Sequence, residues 1–169
     1  SNDGGKDAAA LPHIQLSPQD TNDLHRVEMY LNGLHSIKAD FLQVDDQGNM
    51  MRGTLDIKRP GKMRVTYAPP NKDFVIADGD YLHMWDAELQ QQTNVPEGDS
   101  LADFILRDHI RLNGDVTVVG FKHAAATIEV TLVSTKDPDQ GQLTLVFEDQ
   151  PLQLRQWRVL DAQNRITTV

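Results

Sequence analysis

The chain has 169 residues, with 25 acidic against 16 basic side chains, a formal charge of −9 and no cysteine. That acidic balance, with no basic run longer than Lys58-Arg59, excludes a general nucleic-acid-binding surface, and the missing cysteines exclude disulfide frameworks, thiolate metal sites and thiol nucleophiles. No apolar run approaches the roughly 20 residues of a membrane-spanning helix. The length suits one domain, residues 17–169, behind a flexible lead over residues 1–16 that is small, polar and without apolar periodicity. The start, Ser1-Asn2-Asp3 without methionine, points to processing or engineering, so a secretory signal would lie outside this sequence.

Ser17 or Asp20 is placed to cap a first helix, with Pro18 in its first turn, Leu24, Val27, Tyr30, Leu31 and Leu34 on one side and Gly33 near its end. From Ile37 the period changes to two, and Asp45-Asp46-Gln47-Gly48-Asn49 turns the chain into the next strand. There Met51, Leu55, Ile57 and Arg59 share one face, while Arg52, Thr54, Asp56 and Lys58 share the other. After Pro60-Gly61, Met63, Val65 and Tyr67 form a second apolar row, which Pro69-Pro70 ends.

Phe74 to Ala77 and Tyr81 to Trp85 read as a hairpin around Asp78-Gly79-Asp80, followed by a strand from Leu89 to Val95. Ser100 then caps a second, short helix carrying Leu101, Phe104 and Ile105. Strands resume over 115–121, 125–135, 142–148, 152–160 and 165–169. Ten or eleven strands with short turns and two amphipathic helices predict a mainly β (α+β) fold. It is a curved antiparallel sheet forming an open or closed barrel, with the helices on its concave side.

Six scattered histidines have neither H-x-H nor H-E-x-x-H spacing. Asp137-Pro138-Asp139-Gln140-Gly141 lacks the alternating ligands and terminal glutamate of a calcium loop. No nucleophile elbow, dinucleotide fingerprint or phosphate loop occurs, and the acid pairs fall in turns, where they bond local backbone. No catalytic constellation, metal site or cofactor is expected. What remains is an apolar face with methionines and one arginine at its margin. Met51, Met63 and Met84 suit either a filled core or a pocket for an apolar ligand of variable shape. Arg59 on that face needs an acceptor or water at the sheet edge.

Several motifs in order resemble the bacterial outer-membrane lipoprotein carrier family, LolA. They are the leading helix, Ile37 to Gln43, the corner Lys58-Arg59-Pro60-Gly61-Lys62-Met63-Arg64 with Tyr67 and Pro69, the Ile76-Ala77-Asp78-Gly79 hairpin leading to Leu82–Trp85, the segment from Pro96 to Leu106, and Gln156-Trp157-Arg158-Val159. The resemblance covers about residues 18–169. It implies an incomplete antiparallel barrel with a helical lid over a hydrophobic cavity, in a periplasmic, non-enzymatic protein. Such proteins take acylated lipoproteins from an inner-membrane exporter and hand them to an outer-membrane receptor. The family's gate arginine, which bonds the lid in the closed form, falls on Arg59, while an aromatic position four residues on is Met63 here. Relatives also usually continue beyond the point matching Val169. On this reading Leu55, Ile57, Met63, Val65, Tyr67, Phe74, Ile76, Met84 and Phe104 line the cavity, Arg59 latches the lid, and the protein is a monomer. A lipid- or lipoprotein-sensing regulatory domain of the same half-barrel fold is the alternative.

Overall fold

A computed structural model describes residues 14–98, 100–161 and 166–169; most of the expected flexible lead lies outside the described residues. Helix α1 runs Pro18–Gly33. Its start is a capping box: the Ser17 hydroxyl accepts the Asp20 N–H at 3.1 Å, and the Asp20 carboxylate accepts the Ser17 N–H at 3.1 Å. Val27 and Leu31, one turn apart, are fully buried, as the apolar spacing requires.

Eleven strands follow: β1 (Ser36–Val44), β2 (Met50–Lys58), β3 (Lys62–Tyr67), β4 (Phe74–Asp78), β5 (Tyr81–Asp86), β6 (Gln91–Pro96), β7 (Val116–Ala124), β8 (Thr127–Ser134), β9 (Gly141–Glu148), β10 (Gln153–Asp161) and β11 (Ile166–Thr168). They form one antiparallel sheet in the order β6-β5-β4-β3-β2-β1-β11-β10-β9-β8-β7. Among the described residues no strand pairs with the outer side of β6 or β7, so the barrel is incomplete. The expected second helix is a 3-10 helix, Leu101–Leu106, capped by Ser100, whose hydroxyl accepts the Ala102 N–H. Asp103 leaves helical geometry within it, and its buried carboxylate accepts the Gly98 N–H at 2.9 Å. A second 3-10 turn covers Pro138–Gln140.

Most of the buried apolar residues fall into two clusters. The larger joins Val27 and Leu31 of α1 and Phe104 and Ile105 of the 3-10 helix to Ile128, Val130, Leu132, Leu143, Leu145 and Phe147 of β8 and β9. The smaller joins Leu55, Ile57, Ala77 and Leu82 on β2, β4 and β5 to Leu106. Helix α1 thus fills the concave side of one half of the sheet. Over the other half the closely packed cover narrows to the end of the 3-10 helix.

Polar contacts fix α1 on its half. Asp23 is wholly buried and its carboxylate meets His123 Nδ1 of β7 at 2.8 Å, Arg26 at 3.1 Å and the Gln19 amide at 3.2 Å. Arg26 also donates through both terminal nitrogens to Asp149, at 3.1 and 2.6 Å. That fork holds the Asp149 carboxyl below its ordinary pKa and raises that of the guanidinium.

Candidate functional site

Cross-strand partners in an antiparallel sheet share a face, so the register settles which side chains meet. One concave row runs Ala39, Leu55, Val65, Val75 and Met84 across β1 to β5. The next runs Ile37, Ile57, Met63, Ala77, Leu82 and Val95. Leu55, Ile57, Ala77 and Leu82 are buried, whereas Met63, Val65, Val75 and Met84 are half-exposed at the margin of the same cluster. Phe41 and Tyr67 flank Gly53 and meet edge to face, with ring centres 5.6 Å apart. Gly53 is glycine for lack of room: a Cβ there would lie 2.8 Å from the Phe41 ring and against the Thr66 carbonyl. The Tyr67 hydroxyl bonds the Gln43 side chain at 2.9 Å, and burial raises its pKa above the ordinary phenol value against the lowering effect of that bond.

Arg59 follows β2 at the mouth of this face and reaches both covering elements. Nη1 donates to the carbonyls of Leu31 at 2.8 Å, of Leu34, and of Asn32 at 3.4 Å. Nη2 donates to the Arg107 carbonyl at 2.7 Å and grazes that of Asp108 at 3.4 Å. α1 has no basic residue in its own last turn, so Arg59 supplies both the missing hydrogen bonds and the cation that favours a helix C-terminus. Burial lowers the pKa of Arg59 and the nearby Asp108 opposes this; a guanidinium stays charged in either case. Beside it, the Gly61 N–H donates to the Leu106 carbonyl at 2.8 Å, and the Arg107 guanidinium carbon stands 4.9 Å from the Phe104 ring centre.

Of the residues expected to form a cavity, Leu55, Ile57, Met63, Val65, Tyr67 and Met84 come together on the concave face. Phe74 and Ile76 do not. Phe74 pairs with Thr66 and Trp85 and stacks on the Trp85 ring, 37% exposed, and Ile76 pairs with Arg64 and His83. Both therefore lie on the convex face, and Val75 and Ala77 take their places. Phe104 is fully buried but belongs to the α1 cluster, with Leu106 at the open half instead. Ile37, Phe41, Val75, Ala77, Leu82, Leu106 and Trp157 are members of this surface absent from the sequence-based list. The alternation of β1 and of β5 carried the signal for Ile37, Phe41 and Leu82.

A cleft of about 460 Å³ opens beside this face, between β1 and β10 under Tyr30 of α1 and Leu34 just after it. Ile37, Phe41, Leu55 and Trp157 belong both to its walls and to the concave cluster. Among the described residues no group of His, Cys, Asp or Glu is arranged to hold a metal ion.

Residues 32–169 match the family model described as outer membrane lipoprotein carrier protein LolA. An uncharacterized protein of Rickettsia prowazekii is 23% identical over 148 residues, covering 86% of this chain and 68% of that protein. The outer-membrane lipoprotein carrier protein of Chromobacterium violaceum is 31% identical over 97 residues, 56% of this chain and 47% of that protein. That of Dechloromonas aromatica is 35% identical over 69 residues, 38% of this chain and 33% of that protein. The match therefore spans less than half the length of either of these two carriers. A chain in the structure of the CwlD amidase from Clostridioides difficile in complex with the GerS lipoprotein has a TM-score of 0.40 and 13% identity. It covers 90% of this chain and 91% of that one, a likeness too low to carry a functional argument.

Proposed function

Since the chain belongs to the outer membrane lipoprotein carrier protein LolA family, we propose that it is a non-enzymatic periplasmic carrier. It holds the acyl chains of lipoproteins on the concave face of β1 to β6 and moves them from an inner-membrane exporter to an outer-membrane receptor. One observation carries this reading: two rows of apolar side chains stand side by side across β2 to β5, and the closely packed cover over them is narrow. Leu55, Ile57, Met63, Val65, Tyr67 and Met84, with Val75 and Leu82, are the lining we assign.

At about 0.8 kcal/mol per buried methylene, one long acyl chain has on the order of 10 kcal/mol at stake. A pocket that traps such a ligand fails as a carrier, so the cover must move. Arg59 suits a latch because one cation holds the ends of both covering elements. No helix among the described residues is long and apolar enough to cross a membrane.

The test is uptake of a fluorescent long-chain acyl probe, followed by transfer of an acylated lipoprotein from an exporter to a receptor in reconstituted vesicles. The proposal expects saturable uptake and transfer. A protein that takes up no acyl probe would instead have a filled concave face, and the carrier assignment would fall.

A further inference from the structure

The convex face of the sheet carries a charge opposite to that of the chain as a whole. On β1 to β4 the alternation that turns Leu55, Val65 and Val75 inward turns Lys38, Arg52, Lys58, Lys62 and Arg64 outward, together with Asp40, Asp56 and Asp78. Cations outnumber carboxylates there, in a protein with 25 acidic and 16 basic side chains. Two of those carboxylates are engaged. Asp56 lies between Lys38 and Arg64 in one cross-strand row and approaches the Lys38 ammonium at 3.9 Å. Asp78 accepts the Asp80 and Tyr81 N–H groups and meets His83 Nε2 at 2.8 Å. Lys58, Lys62 and Arg64 are exposed, and among the described residues none of the three has a carboxylate within ion-pair distance. Lys58 and Lys62 are moreover direct cross-strand partners, an arrangement of like charges that destabilises a ladder. Folding alone supplies no reason for that pair.

Rings stand beside these cations. β4 and β5 turn Phe74, Ile76, Tyr81 and Trp85 to the same convex side. Phe74 and Trp85 are stacked with ring centres 6.3 Å apart, and Tyr81 is 46% exposed. With neighbouring strands about 4.8 Å apart, the cations of β2 and β3 and the rings of β4 and β5 share a surface roughly 14 Å wide. A surface of this kind, apolar and exposed, marks a contact with something outside the chain.

We propose that this convex face docks on the surface of an anionic phospholipid bilayer. Charge complementarity selects the sign of the partner, and the side-chain chemistry selects its kind. Lysines are flexible point charges, and Lys38, Lys58, Lys62 and Arg64 border an open hollow of about 860 Å³. That arrangement suits a diffuse negative surface better than one tightly held anion. Trp and Tyr rings settle at the level of lipid headgroups, where basic side chains are also drawn. β2, β3 and β4 are each paired on both sides, so a peptide cannot join the sheet there as an added strand. The acyl-binding reading concerns the opposite face, and docking does not depend on it.

The experiment is flotation with vesicles of phosphatidylcholine alone and of an equal mixture of phosphatidylcholine and phosphatidylglycerol. The proposal expects binding to the mixed vesicles only, lost as added salt shortens the reach of charge. A lysine near an anionic surface is worth about fivefold in affinity, so Lys58→Glu with Lys62→Glu should weaken binding at least about twentyfold. The same reversal on the other half of the sheet is the control. Lys122 of β7 and Lys136 after β8 are exposed, and Lys122→Glu with Lys136→Glu should leave binding within about twofold of wild type. Lys62→Gln, which relieves the like-charge pair, should by itself weaken binding about fivefold and decides the matter should the double variant fold poorly. Uptake of the soluble acyl probe by these variants should equal that of wild type, which separates failure of docking from failure of the carrier reading. Equal binding to both vesicle types, no binding to the mixed vesicles at low salt, or equal weakening by the two double variants would overturn the proposal. Capture by polyglutamate of a protein that ignores the mixed vesicles would assign the face to an acidic polypeptide and overturn it too.

Discussion

Replacing Arg59 with leucine removes the cation that ties two covering segments to the sheet. Its nearest acceptors are the carbonyls of Leu31, Leu34 and Arg107, and hydrogen bonds to a charged group contribute about 1.5–3 kcal/mol each. The freed Leu31 carbonyl keeps the Leu34 N–H at 3.3 Å, which recovers part of the loss, and the favourable helix-end charge adds only about 0.5 kcal/mol. The net cost should be about 3 kcal/mol. For a chain of this size that is a fall of about 6–12 °C in Tm. The sharper readout is the Gly61 amide, which is bonded to the Leu106 carbonyl and so reports detachment of the 3-10 helix. A 3 kcal/mol change in opening is roughly a hundredfold, and Gly61 exchange should accelerate by about that factor in Arg59→Leu. Arg59→Lys, with one nitrogen in place of a fork, should restore part of the protection. An unchanged Gly61 exchange rate together with a Tm within about 2 °C of wild type would refute the latch.

Val75→Asp should abolish uptake of an acyl probe, whereas its neighbour Phe74→Ser should leave uptake unchanged; fluorescence titration of both variants checks the facing of β4, and the reverse result would refute it. Gly53→Ala forces a methyl group against the Phe41 ring and the Thr66 carbonyl, and overpacking of this kind should cost about 1–3 kcal/mol in urea unfolding. Asp149→Asn should cost about 1 kcal/mol at neutral pH, reduced by the partial exposure of Arg26. Because the Asp149 pKa is depressed by folding, that stabilisation is present above the unfolded value near 3.9 and is lost as the pH falls through the folded one. The Tm gap between wild type and Asp149→Asn should therefore close in acid, and a gap that widens there would contradict the pairing.

The strands were legible because most of them alternate. Leu55, Ile57, Met63, Val65 and Tyr67 are each separated by polar neighbours or glycine, so their common face can be read without knowing what they pair with. Phe74-Val75-Ile76-Ala77 does not alternate, and nothing within those residues says which pair faces inward. That is decided by the register with β3, where Val65 meets Val75 and Met63 meets Ala77, and a run of apolar residues leaves register unspecified. The Ser17 cap was legible for the reason β4 was not: a cap is a local contact spanning three residues. Arg59 lay between these cases. Its place on an apolar face demanded an acceptor, but the acceptors are backbone carbonyls of α1 and of the residue after the 3-10 helix, and carbonyls leave no trace in composition.

The unequal cover of the two halves of the sheet separates two kinds of inheritance. Substitutions among the fully enclosed residues of β8 and β9, such as Leu145 or Phe147, subtract from the energy that keeps the chain folded, and selection meets them as loss of the protein itself. Substitutions at Met63, Val65, Val75 and Met84 fall where packing is incomplete, so their descendants persist at normal abundance with an altered concave face. If the chain is the carrier proposed above, the repertoire of cargoes is then the trait that can drift, while the architecture that presents it is held constant.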